Sequence, residues 1–274
     1  MKKLLIWASL WSLSWGAIAQ SYAFDQREVV KTVVIDAGHG GHDSGCSGHH
    51  HLEKNNNLEV ALQFGGLIQH RYPQIQVIYT RSSDVFIPLE ERAEIANRAG
   101  ADLFMSVHCN YNGSRKHHAN GTETYYFNSD NQADAWLQAR ADAAHPKDSL
   151  THFAPIRSFR SEKSRKMAFL IENAMQNVTK RHSRGVKIDA LRVLYLTKMP
   201  SVLSEIGFLT DSNEGAYISS QAGQSEIAQA LFQAFEAYID PMPEVPVVRN
   251  ALAFISSIPL RTLPSEVASI QAKK

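Results

Sequence analysis

The sequence predicts a three-layer α/β/α domain with a mostly parallel central sheet, and three observations predict it. Strand-like and helix-like segments alternate between residues 29 and 239, an order that places helices on both faces of a parallel sheet. The runs VVKTVVID, QVIYT and LFMSV are short and mostly apolar or β-branched, as strands buried on both faces must be. Polar or Gly-rich residues follow these runs, at the strand ends where ligands of open α/β sheets collect.

Residues 29–36 form the first strand and run into Ala37-Gly38-His39-Gly40-Gly41, a loop of residues that tolerate unusual backbone angles. A helix follows from Asn55: three Asn offer an N-cap, and Leu58, Ala61, Leu62, Leu67 and Ile68 share a face despite Gly65-Gly66. Pro73 stops it, and residues 76–80 (QVIYT) are the next strand. Pro88 fits the first turn of the helix LEERAEIANRA, and Gly100 supplies its left-handed stop. Residues 103–107 make a third buried strand ending in His108, residues 112–121 a polar loop, and residues 122–127 a further strand. Residues 128–162 carry no continuous stripe, because His145-Pro146 interrupts a helical pattern. A helix resumes over 161–180, two strands are expected at 191–197 and 201–205, and 225–238 is the closing helix.

The 274-residue chain holds 28 Lys+Arg against 27 Asp+Glu, 12 His and 2 Cys. That balance excludes nucleic acid as a main partner, since phosphate binding needs clustered cations. Two Cys exclude a disulfide framework and a four-thiolate zinc site. Residues 1–19 read as a signal peptide: Met1-Lys2-Lys3, an apolar run from Leu4 to Ile18, and the small-x-small end Ala17-Ile18-Ala19. Ser21-Tyr22-Ala23 offers a second cleavage point. The apolar run is shorter than the roughly 20 residues a membrane span needs, and no later segment replaces it, so the mature chain is expected to be exported without a span. Losing Lys2 and Lys3 shifts the formal net charge from +1 to −1. The catalytic domain is expected over 28–240, with 241–274 a Pro-containing linker and loosely ordered tail.

His39 after the first strand, His108 after the third and Glu205 at the end of PSVLSE converge at strand ends, with Glu53 on the intervening loop or first helical turn. Two His and a carboxylate with an open fourth position are the donor set of a catalytic zinc site. No pair has helical i, i+4 spacing, so the fold would have to assemble the ligands.

The blocks VVIDAGHGGHDSGCSG, Glu53-Lys54-Asn55, YTRSSDVFIPLEERAEIANRAGADLFMSVHCN, GTETYYF and PSVLSEIGFLTDSNE follow one another in order. In that order they resemble the zinc-dependent N-acetylmuramoyl-L-alanine amidases, the type-3 amidase family of cell-wall hydrolases, from about Val33 to Tyr238. The resemblance implies one Zn2+ per chain held by His39, Glu53 and His108, with Glu205 as catalytic carboxylate. It implies peptidoglycan as substrate, cut between N-acetylmuramic acid and L-alanine of the stem peptide during wall remodelling or daughter-cell separation. A periplasmic or extracellular monomer follows, with an activator protein as possible partner. In Gram-negative division amidases a helix inserted in the region of 128–162 covers the zinc, so residues 131–160 are expected to gate the site.

Other residues keep two readings. His42, His49, His50 and His51 are substitute ligands or solvated loop residues. Cys46 and Cys109 pair if their Cα atoms approach within about 7 Å, although Cys109 should point away from His108 and pack instead. Asp36 and Asn110 orient ligands, bind substrate or satisfy turns, and Arg81 and Arg92 tie strand ends to helices. The competing functions are another zinc peptidase acting on stem peptides, and a non-catalytic, metal-dependent wall-binding protein.

Overall fold

The computed structural model describes residues 29–48, 50–113, 119–128 and 154–239. The signal peptide, the tail, His49 and the 131–153 part of the expected gate lie outside the described residues.

The chain begins with β1 (Thr32–Ala37), a two-stranded hairpin of β2 (Ser47–Gly48) and β3 (His51–Leu52), and α1 (Glu53–Arg71). β4 (Gln76–Tyr79), α2 (Leu89–Ala99), β5 (Leu103–Asn110) and β6 (Thr122–Tyr126) follow. Then come α3 (Ala154–Thr179), β7 (Ser183–Ile188), the single turn α4 (Arg192–Tyr195), β8 (Ser201–Phe208), α5 (Ser212–Ile218) and α6 (Gln221–Ile239). The six main strands are ordered β4-β1-β5-β8-β6-β7. β4, β1, β5 and β8 are mutually parallel; β6 runs antiparallel to β8, and β7 parallel to β6. The carboxyl ends of β1, β5 and β8 therefore meet the amino ends of β6 and β7 on one edge of the sheet.

Alternation along the strands builds two cores. Val33 and Ile35 of β1 and Leu103 and Met105 of β5 join Phe64, Met167, Ile171 and Phe235 beneath α1, α3 and α6. Val34, Phe104 and Leu203 point the other way, against Ala96 of α2 and Val193 and Leu194 of α4. This second face is covered by much shorter helices among the described residues.

Several expectations are corrected. α1 starts at Glu53 with Leu52 as its N-cap and no side-chain cap, because Asn56 and Asn57 are buried and bonded inward: Asn56 donates to Ser219 Oγ, Asn57 to Gly38 O and Glu53 Oε1. Its buried stripe is rotated to Val60, Ala61, Phe64, Gly65 and Ile68. Gly65 is required there, since a Cβ would sit 2.1 Å from Tyr79 Oη. Pro88 is the N-cap of α2, one position before the expected first turn, while Gly100 at φ 58° closes the helix as expected. The expected strand 191–197 is instead the turn α4. Three consecutive buried residues, Val193 to Tyr195, read as a buried strand in sequence, but a turn buries them equally well. The Arg160 guanidinium satisfies the Leu194 carbonyl in place of a strand neighbour. β7 and α5 were not anticipated. β7 is a half-exposed edge strand with a register irregularity, whereas α5 had a readable signal: Asp211 caps the amides of Asn213 and Glu214, the Asp and Glu three apart that mark a helix start.

Candidate metal centre

β1 delivers His39 at the sheet edge in a left-handed conformation, φ 62°, which a non-glycine residue adopts at a cost and which neighbours must enforce. Arg92, fully buried with Asp36, supplies that enforcement. Its guanidinium donates to Asp36 Oδ1 at 2.8 Å, to Ala37 O at 2.7 Å and to His39 O at 2.7 Å. Arg81 donates to Ala37 O, Gly38 O and Lys54 O, all at 2.8 Å. Both arginines thus bind strand end, loop and helix together, as the sequence predicted. Burial alone would raise the Asp36 pKa, but Arg92, Thr80 and Ser106 outweigh it and hold the carboxylate below its ordinary value.

His39, Glu53 and His108 each present a ligand atom, and these atoms lie within 4.8 Å of one another. His39 Nε2 is 3.2 Å and His108 Nδ1 3.0 Å from Glu53 Oε1. Glu53 is fixed from behind: Oε2 accepts from the Cys46 amide at 2.9 Å and Oε1 from the Cys109 amide at 3.0 Å. His39 Nδ1 meets Asp43 Oδ2 at 2.8 Å, so its other nitrogen is turned towards the cluster. Gly45, at φ 64°, is dictated by this packing, since a Cβ would fall 2.5 Å from Glu53 Oε2 and 2.7 Å from His39 Cδ2.

Burial disfavours charge on His39, yet Glu53 and Asp43 overcome it and raise its pKa to about 9. Burial likewise pushes Glu53 up, but His108 and His39 hold it far below the ordinary carboxylate range. Imidazole and carboxylate are donors that suit Zn2+.

Glu205 sits directly across from His108 in the β5–β8 register. Burial pushes it up to about 7, opposed by His108 and aided by Glu53 and Glu123. Its Oε2 is buried without a hydrogen-bond partner among the described residues. A carboxylate so placed can take up and return a proton near neutral pH.

Asn110 is engaged within the protein: its amide donates to Glu123 Oε1 at 2.7 Å, and its Oδ1 accepts from the Tyr111 amide at 2.8 Å. His42 stacks against Phe86 with ring centroids 4.1 Å apart, and neither His42, His50 nor His51 joins the ligand cluster. Cys46 and Cys109 are free thiols, both pushed up by burial first and by Glu53 next; their backbone amides, not their sulfurs, serve the site. Sequence reading missed Asp43 and Glu123. Asp43 lies four residues after His39, a spacing with no meaning in a loop until the turn is known. Glu123 sits in the GTETYYF block, but its facing partner is visible only from the strand register.

A mostly parallel α/β sheet thus carries at one edge a His-Glu-His donor set that could hold a metal ion, beside a buried glutamate. The chain belongs to the Amidase_3 family, the N-acetylmuramoyl-L-alanine amidases, whose pattern it matches over residues 33–237. It is 34% identical over 210 residues to the YqiI protein of Bacillus subtilis, covering 77% of this chain and 85% of that protein. It is 30% identical over 224 residues to the N-acetylmuramoyl-L-alanine amidase AmiA of Escherichia coli, covering 76% of each chain. The crystal structure of an N-acetylmuramoyl-L-alanine amidase from Clostridium difficile 630 superposes with a TM-score of 0.63 at 27% identity, over 78% of this chain and 99% of that one. Among the described residues no helix is long and apolar enough to cross a membrane.

Proposed function

We propose that this amidase is zinc-dependent, with His39 Nε2, Glu53 Oε1 and His108 Nδ1 as ligands and Glu205 as general base and acid. The observation that carries the reading is the buried, unpartnered Glu205 Oε2 beside a converging His-Glu-His donor set. Bound zinc supplies Lewis acidity to the scissile carbonyl and to the attacking water. Glu205 takes the water's proton and returns it to the nitrogen leaving N-acetylmuramic acid, so the stem peptide departs with L-alanine at its amino end. Asp43 holds the His39 ring, and the Cys46 and Cys109 amides hold Glu53, the kind of outer support on which metal affinity depends.

The same proposal places the enzyme outside the cytoplasm after loss of residues 1–19, with 28–240 as catalytic domain and 241–274 as linker and tail. It acts there as a monomer in wall remodelling or cell separation. An activator acting on a gate at 131–160 belongs to this reading, and deleting that segment should raise the basal rate. An unchanged or abolished rate in a folded variant counts against the gate.

Metal analysis and digestion of purified sacculi by wild type beside Glu205→Gln test the proposal. Both proteins should hold about one zinc, and the variant should lose about a hundredfold or more in rate. Retained activity refutes the role of Glu205. Products not beginning with L-alanine would favour another zinc peptidase; sacculus binding with no product would favour a wall-binding protein.

A further inference from the structure

Four polar side chains stand in a row across the second face of the sheet, one per strand. His108 of β5 is in register with Glu205 of β8, and Glu205 with Glu123 of β6. Arg184 of the edge strand β7 completes the row, its Nε donating to Glu123 Oε2 at 2.9 Å. The Arg184 guanidinium also lies 5.1 Å from the centre of the Phe208 ring, so its stem is fixed while its side chain stays 36% exposed. Among the described residues it makes no other hydrogen bond or ion pair, and the two Nη groups are left for a ligand. Lys187 is paired in register with Tyr125, whose hydroxyl donates to Glu123 Oε1 at 2.8 Å. Partners in a parallel register point to the same side, which puts Lys187 on the face of the row, one pleat further on.

The order of the row orients the substrate. The scissile carbonyl must face the His39–Glu53–His108 cluster, and the leaving nitrogen must face Glu205, which protonates it. Glu205 lies between that cluster and β6, so the leaving group extends over β6 and β7, and the acyl side of the bond lies over the β1 loop. The leaving group of this amide is the peptide. Going outward from Glu205, the peptide meets Glu123, already neutralised by Arg184 and by hydrogen bonds from Asn110 and Tyr125, and then two cations on the edge strand. A planar guanidinium with both Nη groups available matches a carboxylate in two parallel bonds.

We propose that Arg184, supported by Lys187, forms a subsite on β7 for a free carboxylate of the leaving stem peptide, and so sets specificity for peptides in which that carboxylate is not amidated. The inference rests on the amidase reading and assigns the peptide side of its site. Glu123 acts as a positioning residue that aims the guanidinium.

The test uses the full chain, zinc-loaded, with two soluble muropeptides that differ only in the α-carboxyl of the second stem residue, free in one and carboxamide in the other. Wild type should favour the free carboxylate by about tenfold or more in kcat/KM, chiefly through KM, the scale of one charge-assisted contact. In Arg184→Gln the ratio should fall to near one, and Arg184→Lys should restore part of it; thermal melts of each variant establish folding. Equal cleavage of both substrates by wild type, or an unchanged ratio in Arg184→Gln, overturns the subsite while leaving the amidase reading intact. Cleavage of neither overturns both.

Discussion

The two faces of the sheet are built on opposite principles. Beneath α1, α3 and α6 the face is aliphatic and aromatic, with Phe64, Met167, Ile171 and Phe235 fully buried. On the other face, towards α2 and α4, Asp36, Ser106, His108, Glu205 and Glu123 interrupt the apolar residues. The first face holds by area removed from water, and the second by each buried polar group finding a named partner. The difference teaches that the strands present the titratable side chains of the site on one face, while Glu53 reaches the cluster from α1 on the other. Glu205, with one oxygen left without a partner, is where the second side departs from its own rule.

Substitutions that remove a core ring and a buried charge should bring the faces closest together. Phe235→Ala on the packed face and Arg92→Ala on the polar face should each destabilise by about 3–5 kcal/mol in denaturant unfolding, the first by leaving a cavity and the second by leaving Asp36 uncompensated. If Arg92→Ala costs less than about 1 kcal/mol, the polar face is not held by pairing. Asp43→Asn should separate the faces: zinc affinity falls about 10- to 100-fold in a chelator competition, while the metal-free melting temperature changes little because Asp43 is partly exposed. A large loss of metal-free stability would show that the loop, and not the metal, needs Asp43.

A further effect is one of pH. Without metal, His39 is raised from 6.5 to about 9, so its contribution to stability is complete below about 6.5 and disappears as pH rises through about 9. Glu53 is lowered from 4.5, so its contribution is present above about 4.5 and lost on acidification through its lowered value. The metal-free cluster therefore stabilises most between these limits. Zinc must displace the His39 proton, and its effect should weaken by up to about tenfold in affinity per pH unit below 9 for that proton. Calorimetry should show a larger zinc-induced rise in melting temperature at about pH 8 than at about pH 5.5; equal rises would remove His39 from the ligand set.

The α/β/α layering was readable because buried strands and amphipathic helices have different periods, and β1, β5 and α6 follow theirs. The candidates His39, Glu53, His108 and Glu205 came from the order of the blocks, and the fold brings ligand atoms of the first three within 4.8 Å of one another. Periodicity did not resolve 191–197, because consecutive apolar residues are compatible with a strand or a buried turn. Nor did it reveal β7, where Gly185 at φ 83° and exposed Arg184 and Ile188 blur any alternation. The Glu123–Arg184 pair was hidden for the same reason: it spans 61 residues and exists only through the register of an edge strand.

The buried Arg92–Asp36 pair also bears on how the chain folds. Before β1, β5 and α2 meet, both groups are hydrated. Neither can enter the interior without the other, since an isolated buried charge is costly. The carbonyls of Ala37 and His39 wait on the same guanidinium, so the loop bearing His39 cannot settle ahead of α2. Amides of α2 and of the end of β1 should therefore exchange with deuterium as one cooperative unit. On this account the chain completes its metal-binding loop and one flank of its sheet in a single step, leaving no populated state that has the scaffold without the site.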